Sequence, residues 1–504
     1  MMLNEIITAL KQGSYELKGD SGVEITGIKY DSRNVIKGDM FFALKGQHAD
    51  GVKFVDAALK AGAAAIAVEN GVNISAKVPV LSVRDAKSAL ARCAARFYGE
   101  PSKKMKLVGV TGTNGKTTIT YLMESIFGAA ALSSGVIGTV NYRYAGNVID
   151  APHTTPLAVE LQWLLSNMAQ SGVSHCVMEV SSHAVEERRV EACAFVAKIF
   201  TNLTPEHLDY HKNMDEYFIA KAKLFIAEES FGKGSAVINI DDEWGKKLAV
   251  MVKGAITYSI EAKGASIRPR SYSVSSSGIK AEVESPWGNF RVDTVMTGEH
   301  NLYNIMAAAG AAFSLGISAR NIEAGIRNLK NVPGRLERVS PESGVWAYVD
   351  YGHTSDALER TLKVLRKLTD ERGKRLVTVF GCGGNRDRTK RPRMGKAAIE
   401  LSDFTIVTSD NPRDEDPGDI IAEVETGMTG AKKFSSAPQG PEKGYMAVVD
   451  RKEALKAAVM LITDGDTLLV AGKGHEDYQI VKGVKHHFDD REELRAILGS
   501  RKRC

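Results

Sequence analysis

Cysteine is scarce in this chain, five in 504 residues, and Cys93, Cys176, Cys193, Cys382 and Cys504 lie far apart with no CxxC pair. An odd and dispersed set excludes a disulfide framework and a cysteine zinc site, and reads as free thiols in a reducing compartment. No uninterrupted apolar run reaches the length a membrane-spanning helix needs. The opening residues, MMLNEIITALKQGSYELKGD, lack the basic start, long apolar centre and small-residue cleavage site of a secretory signal. A cytoplasmic chain without a membrane span is therefore expected. Neither sign of charge dominates: 66 basic against 61 acidic residues leave +5, too little over this length to argue for nucleic acid. The basic cluster from Arg386 to Arg393 is the exception, and it can bind an anion locally. Internal repeats and long low-complexity stretches are missing as well.

What is present is the composition of a globular protein, 43% hydrophobic and 25% charged, in a chain too long for one hydrophobic core. Three segments are expected. Residues 1–100 mix short β-like runs (ITGIKY, AIAVEN, VPVLSV) with Ala-rich helical stretches and end at Pro101 and a Lys-rich connector, a small α/β domain. In residues 101–332 the apolar strands KLVGV, HCVMEV, KIFTNL and SAVINI recur between helical patterns, as an open, mostly parallel sheet covered by helices requires. Segment 258–300 is Ser/Gly-rich and alternates like a small antiparallel excursion. After the turn-prone NVPGR, residues 333–504 repeat the alternation with WAYVDY, RLVTVFG, FTIVTSD and DTLLVAGKG, a third, Rossmann-like α/β unit.

KLVGVTGTNGKTTITYLMESI reads as strand, Gly-rich turn and helix. Such a turn closes backbone N–H groups around phosphate oxygens at a helix N-terminus, with Lys116 supplying a point charge and Thr117 a hydroxyl for Mg²⁺. The nucleotide-binding set is Gly112, Thr113, Asn114, Gly115, Lys116, Thr117 and Thr118. The pattern GxxxxGK[ST] would put its first glycine at 110, where this chain has Val110, with Gly109 beside it. A tight strand-to-helix turn with a surface lysine is the bland alternative. The loop alone implies a nucleotide and no particular reaction. Glu179 ends the strand CVMEV, where side chains at the carboxyl edge of a parallel sheet face a ligand crevice, and a hard carboxylate there suits Mg²⁺.

The variant TGTNGKTT is the form this loop takes in the Mur ligase superfamily, which includes folylpolyglutamate synthetases, and the chain resembles that family through essentially its whole length. The resemblance implies a metal ligand at His207 of TPEHLDYH. By chemistry alone His207 would be a capping or structural histidine, since imidazole is not a favoured Mg²⁺ ligand. In DEYFIAKAKLF the family's Y-x-x-AK-x-x-LF pattern places Lys221, rather than Lys223, at the lysine that takes up CO₂ as a carbamate. That anion can hold a second Mg²⁺; without the resemblance Lys221 reads as an ordinary exposed helix lysine. Asn301 of TGEHNLYN is implied to contact adenine, Arg335 of PGRLE the ATP phosphates, and Asp350 of VDYGHT the ribose. Helix capping by Asn301 and Asn304, and an interdomain salt bridge at Arg335, are the plain alternatives.

For the acceptor, the resemblance implies UDP contacts at Ser32, Gln47, His48 and Ala49. It implies contacts to a UDP-MurNAc-dipeptide at Thr154, Thr155, Ser181, Glu187 and Arg189. His153 stands where Asn is expected and Glu187 where Gln is. DNPR, Asp410, Asn411, Pro412 and Arg413, resembles diaminopimelate-adding members. The expected reason is that a buried Arg413 takes the second carboxylate of meso-diaminopimelate bidentately and repels lysine's ammonium. Arg386, Gly472 and Glu476 complete that pocket; DNPR in isolation is simply a turn. The implied activity joins meso-diaminopimelate to the D-glutamate carboxylate of UDP-MurNAc-L-Ala-D-Glu through an acyl phosphate. ATP, two Mg²⁺ and the Lys221 carbamate take part, Lys116 and Arg335 neutralise charge, and His207 and His353 are candidates for proton movement. A monomer is expected. The rivals are a lysine-adding family member, a P-loop ATPase without ligase activity, and a nucleotide-binding regulator without turnover.

Overall fold

Strands that are apolar without interruption are the ones a parallel sheet buries on both faces, and such strands organise this chain. The computed structural model describes residues 1–46, 50–206, 210–339 and 344–501. They divide into two compact units. One comprises Met1–Ser271, Ala281–Val292 and Leu302–Asn328; the other comprises Tyr272–Lys280, Asp293–Asn301 and the chain from Leu329 onward.

The first unit opens with β1 (Tyr15–Lys18), β2 (Gly27–Lys29), β3 (Asp39–Phe42), β4 (Ala65–Glu69) and β5 (Val80–Val83). Their spatial order is β1-β5-β4-β3-β2, parallel except for the β1–β5 pair. The helix Ala86–Phe97 begins at Asp85, whose side chain accepts from Ser88 N, and packs Leu90 and Cys93 against this sheet. Ser88 and Arg92 of that helix also donate to the buried Glu191 at 2.7 and 2.9 Å, tying it to the segment that carries Arg189.

The larger sheet of this unit uses β6 (Lys106–Thr111), β7 (Ser134–Ile137), β8 (Asn141–Tyr144), β9 (Asn147–Asp150), β10 (His175–Glu179), β11 (Phe195–Phe200), β12 (Ser235–Asn239) and β13 (Ile256–Tyr258). Its order is β13-β12-β11-β6-β10-β7-β8-β9. The strands from β13 to β7 are parallel, and β7, β8 and β9 turn back antiparallel. In register, Val110 of β6 faces Glu179 of β10, and Thr111 faces Phe200 of β11, so the carboxyl ends of three neighbouring strands finish together. This register explains the missing first glycine of the loop pattern. Val110 is still fully buried strand, and the chain leaves the sheet only at Gly112, whose φ is +140°. Gly109 is required for a different reason, because a Cβ there would stand 2.9 Å from the Phe195 ring.

β14 (Arg268–Ser275), β15 (Gly278–Glu284) and β16 (Phe290–Thr294) form a small sheet in that order. The second unit contains β17 (Glu337–Arg338), β18 (Trp346–Asp350), β19 (Leu376–Cys382), β20 (Phe404–Ser409), β21 (Lys433–Phe434), β22 (Gly444–Val448) and β23 (Thr467–Ala471). They are ordered β17-β18-β23-β19-β20-β22-β21, all parallel except β17. β24 (Tyr478–Val481) and β25 (Val484–His487) add a hairpin. These are α/β sheets with flanking helices, the class the periodicity indicates. Among the described residues no helix is long and apolar enough to cross a membrane. The four described cysteines are free and buried, and burial pushes the Cys93 thiol up to about 12, so it is inert at neutral pH.

Two buried cations brace these sheets. Lys198 of β11, only 1% exposed, donates to the Gly232 carbonyl at 2.6 Å. Burial lowers its pKa to about 8, whereas an unfolded lysine titrates near its ordinary value. Between those two values the unfolded chain holds a proton that the folded chain has released, so this group's contribution to stability rises with pH. The Tm difference between wild type and Lys198→Met should therefore move in favour of wild type as pH is raised from 8 to 10; calorimetry at several pH values checks it. Arg451 and Asp490 form a fully buried pair, with Arg451 also donating to the Ser409 and Ala471 carbonyls at 3.3 and 3.0 Å. Asp490→Asn leaves that guanidinium half-compensated and should cost the second unit about 3–5 kcal/mol, read by denaturant unfolding.

Candidate active site

The first unit builds its site where β6, β10 and β11 end. The loop from Gly112 to Gly115 turns into the helix Lys116–Ala129, with Gly115 at its N-cap in the left-handed region. Side chains cannot replace these glycines: a Cβ on Gly112 would lie 1.8 Å from Thr201 Oγ1, and one on Gly115 would lie 2.4 Å from Asn304 Oδ1. The loop is clamped to the chain that follows β11. Thr113 N donates to Asn202 O at 2.9 Å, Asn114 N to Asn202 Oδ1 at 3.0 Å, and Thr201 Oγ1 to Asn114 O at 2.7 Å. Thr117 and Thr118 are buried on the first turn of the helix. The backbone is thus held ready for a ligand before one arrives.

Lys116 Nζ donates to the carbonyls of Gly112 and Thr113 at 2.9 and 2.8 Å. Lys221, on the helix Met214–Ile226, is 1% exposed and donates to the same Gly112 carbonyl at 3.0 Å. The exposed helix lysine that its sequence context suggests is therefore corrected to a buried one that meets the phosphate loop. Its Nζ also stands 4.7 Å from the Tyr217 ring centre, and the Tyr217 hydroxyl reaches Thr113 Oγ1 at 3.3 Å. Burial, and next the neighbouring Lys116, hold the Lys221 ammonium well below the ordinary lysine range, with Glu206 opposing them.

Glu179 is buried at the end of β10. Its carboxylate accepts from Thr139 N at 2.9 Å and Thr139 Oγ1 at 3.0 Å, and Thr139 Oγ1 in turn lies 3.1 Å from Thr154 Oγ1. Thr155 Oγ1 donates to the Glu179 carbonyl at 2.8 Å and accepts from Ser181 N at 3.1 Å. Ser181 caps the short helix that follows. Thr139, Thr154, Thr155, Glu179 and Ser181 are therefore one connected set. Thr139 is the member that sequence reasoning missed; it sits in GTVNY just past a strand, with no motif to mark it. Arg189 donates to Thr155 O at 3.1 Å and through Nε to Glu187 at 2.8 Å. The acid at 187, where glutamine is expected, thus neutralises this arginine. His153 accepts from the Tyr142 hydroxyl through its carbonyl.

His211 is a second residue that no motif announced. It is buried, stacked on Tyr217 with ring centres 5.0 Å apart, and 2.9 Å from Ser182 Oγ. Ser32 lies on the turn Ser32–Asn34, which Asp31 caps. Gln47, His48, Ala49 and His207 lie outside the described residues, and among the described ones no group of three or more His, Cys, Asp or Glu is arranged for a metal.

The second unit gathers its polar residues at the carboxyl ends of β18, β23, β19 and β20. Asp350 is buried and accepts from Leu336 N and Gly352 N, each at 2.8 Å, and from Thr361 Oγ1 at 3.2 Å. Gly472, with φ +116°, donates through its N–H to the Asp350 carbonyl at 3.0 Å. Arg335 stands 4.8 Å from the Tyr351 ring centre and lines a cleft of ≈ 360 Å³ together with Asn301, Thr297, Ser277, Leu336 and Tyr348. Asn301 lies inside the helix Glu299–Ser314 rather than at its cap, and its Nδ2 donates to Thr297 O at 2.7 Å. His353 Nδ1 lies 2.9 Å from Tyr351 O.

Asp410, at the end of β20, is paired with the fully buried Lys473 at 3.1 Å. Burial opposes its charge, but Lys473 and Arg451 outweigh it and hold the carboxyl below its ordinary range. Asn411 accepts from Lys473 Nζ at 3.1 Å and Ile480 N at 2.9 Å, and donates to Glu476 at 2.8 Å. Burial and then Asp410 push the Glu476 carboxyl upward. Lys473 had no place in the sequence reading, although it stands next to Gly472. Arg413 is half-exposed rather than buried, has a left-handed φ of +55°, and donates to the Gly384 carbonyl at 2.8 Å. Arg386 is exposed. The two arginines flank one residue: a Cβ on Gly383 would stand 2.9 Å from Arg413 Nη1 and 3.8 Å from Arg386 Cγ.

Comparison with known proteins agrees with this geometry. Models of the Mur ligase family catalytic domain, the Mur ligase middle domain and the Mur ligase glutamate ligase domain match residues 24–98, 110–312 and 334–474. A UDP-N-acetylmuramoyl-L-alanyl-D-glutamate–2,6-diaminopimelate ligase of Geobacter metallireducens is 44% identical, covering 96% of this chain and 96% of its own. The protein of the same name from Clostridium tetani is 39% identical over 99% of both. A solved structure bearing that name superposes with a TM-score of 0.71 at 32% identity, covering 100% of this chain and 99% of its own. The MurF ligase of Thermotoga maritima, solved in complex with ADP, shares the fold at a TM-score of 0.60 and 19% identity, covering 96% of this chain and 99% of its own. Matched along nearly its whole length by models and relatives of one kind, the chain belongs to the Mur ligase family.

Proposed function

We propose that the chain is an ATP-dependent amide ligase that adds meso-diaminopimelate to the D-glutamate carboxylate of UDP-MurNAc-L-Ala-D-Glu, acting as a cytoplasmic monomer in peptidoglycan precursor synthesis. Near-complete coverage of relatives named for that reaction supports the reaction. The observation that carries the choice of amino acid is that Arg413 brings a guanidinium nitrogen, and Arg386 its side-chain stem, to Gly383. The far end of meso-diaminopimelate carries a carboxylate as well as an ammonium, whereas that of lysine carries the ammonium alone, so a guanidinium there favours the first and disfavours the second. Glu476, linked to Asp410 through Asn411 and Lys473, is the carboxylate assigned to the substrate's ammonium.

Phosphoryl transfer to a carboxylate brings anions together, so neutralisation and alignment come before any strong base. The amides of Gly112 to Thr118 and the Lys116 ammonium are suited to the phosphates, because the loop runs into the N-terminus of the helix Lys116–Ala129 at Gly115. Asn301 and Arg335 line a cleft large enough for the nucleoside end, with Asp350 assigned to the ribose. Thr117, Glu179, His207 and a carbamate on Lys221 are the oxygen and nitrogen donors proposed for two Mg²⁺, which would supply charge neutralisation between nucleotide and acceptor. Thr154, Thr155, Ser181, Glu187 and Arg189 are assigned to the peptide of the acceptor, and Ser32, Gln47, His48 and Ala49 to its UDP. The acceptor carboxylate takes the γ-phosphoryl group and ADP leaves; the amine then attacks the acyl carbon and phosphate leaves. His353 and His207 are placed in the role of moving the amine's proton.

The buried position of Lys221 supports the carbamate. CO₂ reacts only with a neutral amine, and burial beside Lys116 disfavours the ammonium. Carbamylation would turn that neutral amine into an anion beside Lys116.

With ATP, Mg²⁺ and UDP-MurNAc-L-Ala-D-Glu, phosphate release and product should require meso-diaminopimelate, with little of either when L-lysine or no amino acid is supplied; preference for lysine would overturn the pocket assignment. Arg413→Ala should lower kcat/KM for diaminopimelate by about 10²-fold while leaving KM for ATP unchanged, as loss of a charge-assisted pair predicts. Lys221→Ala should abolish turnover, and added acetate or formate should restore part of it; absence of rescue would assign Lys221 a purely structural role.

A further inference from the structure

The pocket arginines sit on two loops, Gly383 to Thr389 after β19 and Asp410 to Asp416 after β20, and neither loop is held by its own strand alone. One carboxylate joins them. Glu415, on the second loop, accepts from Arg391 Nη1 at 2.9 Å and Nη2 at 3.0 Å, and also from the backbone N–H of Asn385 on the first. Arg391 is fully buried and has a second carboxylate partner, Glu423, at 2.8 Å. It also donates to the Gly383 carbonyl at 3.2 Å. Asn385 Nδ2 adds a bond to Asp414 at 2.8 Å, and Gly384 N donates to Asn411 O at 2.9 Å. Gly384 permits the contact, since a Cβ there would stand 1.9 Å from the Pro412 carbonyl oxygen and 3.3 Å from Glu415 Cβ.

We infer that Glu415, through Arg391 and Asn385, is a specificity-determining positioning residue: it fixes the spacing of Arg386 and Arg413 without touching the amino acid. The inference rests on the reaction proposed above. Arg386 and Arg413 sit on different loops that approach at Gly383, so loops free to relax would change the separation of the two arginines. The clasp prevents this with a charge that is constant over any assay pH, because the Arg391 and Asn385 donors hold the Glu415 carboxyl down to about 2. A bidentate carboxylate distant from the acyl carbon needs both guanidinium groups at a set separation, and lysine's ammonium needs neither. Loosening the clasp therefore weakens diaminopimelate and leaves lysine unaffected.

The test uses the full chain with two variants that open the clasp differently. Glu415→Gln keeps shape but removes the charge from a partly exposed site, so folding is retained. Gly384→Ala forces the loops apart sterically with every charge intact. Both should raise KM for diaminopimelate about tenfold, leave KM for ATP and for the UDP-linked acceptor within about twofold, and narrow the ratio of diaminopimelate to lysine turnover. Thermal melts of both variants accompany the assay. If wild type uses diaminopimelate and both variants match it in KM and selectivity, the clasp has no role. If kcat and all three KM values fall or rise together with Tm, Glu415 is a structural residue only. If wild type itself does not use diaminopimelate, the proposed reaction fails first, and that outcome is distinct from either variant result.

Discussion

Two lysine side chains, Lys116 and Lys221, converge on one carbonyl oxygen, that of Gly112. Everything else in the first unit's site is arranged around that unfavourable meeting. Like charges a few ångströms apart and shielded from water repel by several kcal/mol even at a moderate effective dielectric, roughly 4 at a separation of 4 Å. Burial and the neighbouring Lys116 work against the charged form of Lys221, and Glu206 works for it. The rigid backing makes this tolerable. The loop is bonded to Asn202 and Thr201 on one side, and Tyr217 supplies an aromatic face to Lys221 on the other. The cost of holding the cations together is borne by folding, which leaves less reorganisation for the ligand to drive.

The second unit uses the opposite device. Three of its buried cations are matched by carboxylates, and each of them also holds a backbone carbonyl. Arg451 joins Asp490 to the carbonyls of Ser409 and Ala471, the residues just before Asp410 and Gly472. Lys473 joins Asp410 and Asn411 to the Tyr478 carbonyl. Arg391 joins two carboxylates to the Gly383 carbonyl. A matched pair in the interior contributes little net stability over an apolar substitute, but it specifies geometry, and that is what a pocket for a zwitterion with an extra carboxylate needs. Arg413 differs from these cations in being half-exposed, with one guanidinium nitrogen on the Gly384 carbonyl.

How far this was legible in the sequence depends on which atoms do the work. The phosphate loop is made of backbone, so it leaves a mark in glycines, a lysine and a strand-to-helix period, and the structure puts the turn at Gly112 as that pattern needs. Parallel strands likewise declare themselves as apolar runs. Side-chain constellations do not. Thr139, His211 and Lys473 are single residues in unremarked segments, joined to Glu179, Tyr217 and Asp410 only by folding. Lys221 shows the limit from the other direction: helical periodicity gave no reason to bury a lysine, and only resemblance to a family singled it out. The arginine expected to be buried in DNPR is the half-exposed one, and Arg391, in the exposed-looking run RDRTKRPR, is the one with no exposure.

The two substituted positions in the acceptor segment bear on the same distinction. Glu187 binds Arg189 through its carboxylate, and Arg189 also holds the Thr155 carbonyl. With glutamine at 187 the guanidinium would keep its full charge toward an anionic acceptor; with glutamate it is already neutralised and serves chiefly to fix Thr155, hence Glu179 and Ser181 through the Thr155 hydroxyl. The acid at 187 therefore gives Arg189 a matched partner, and the same guanidinium holds the Thr155 carbonyl.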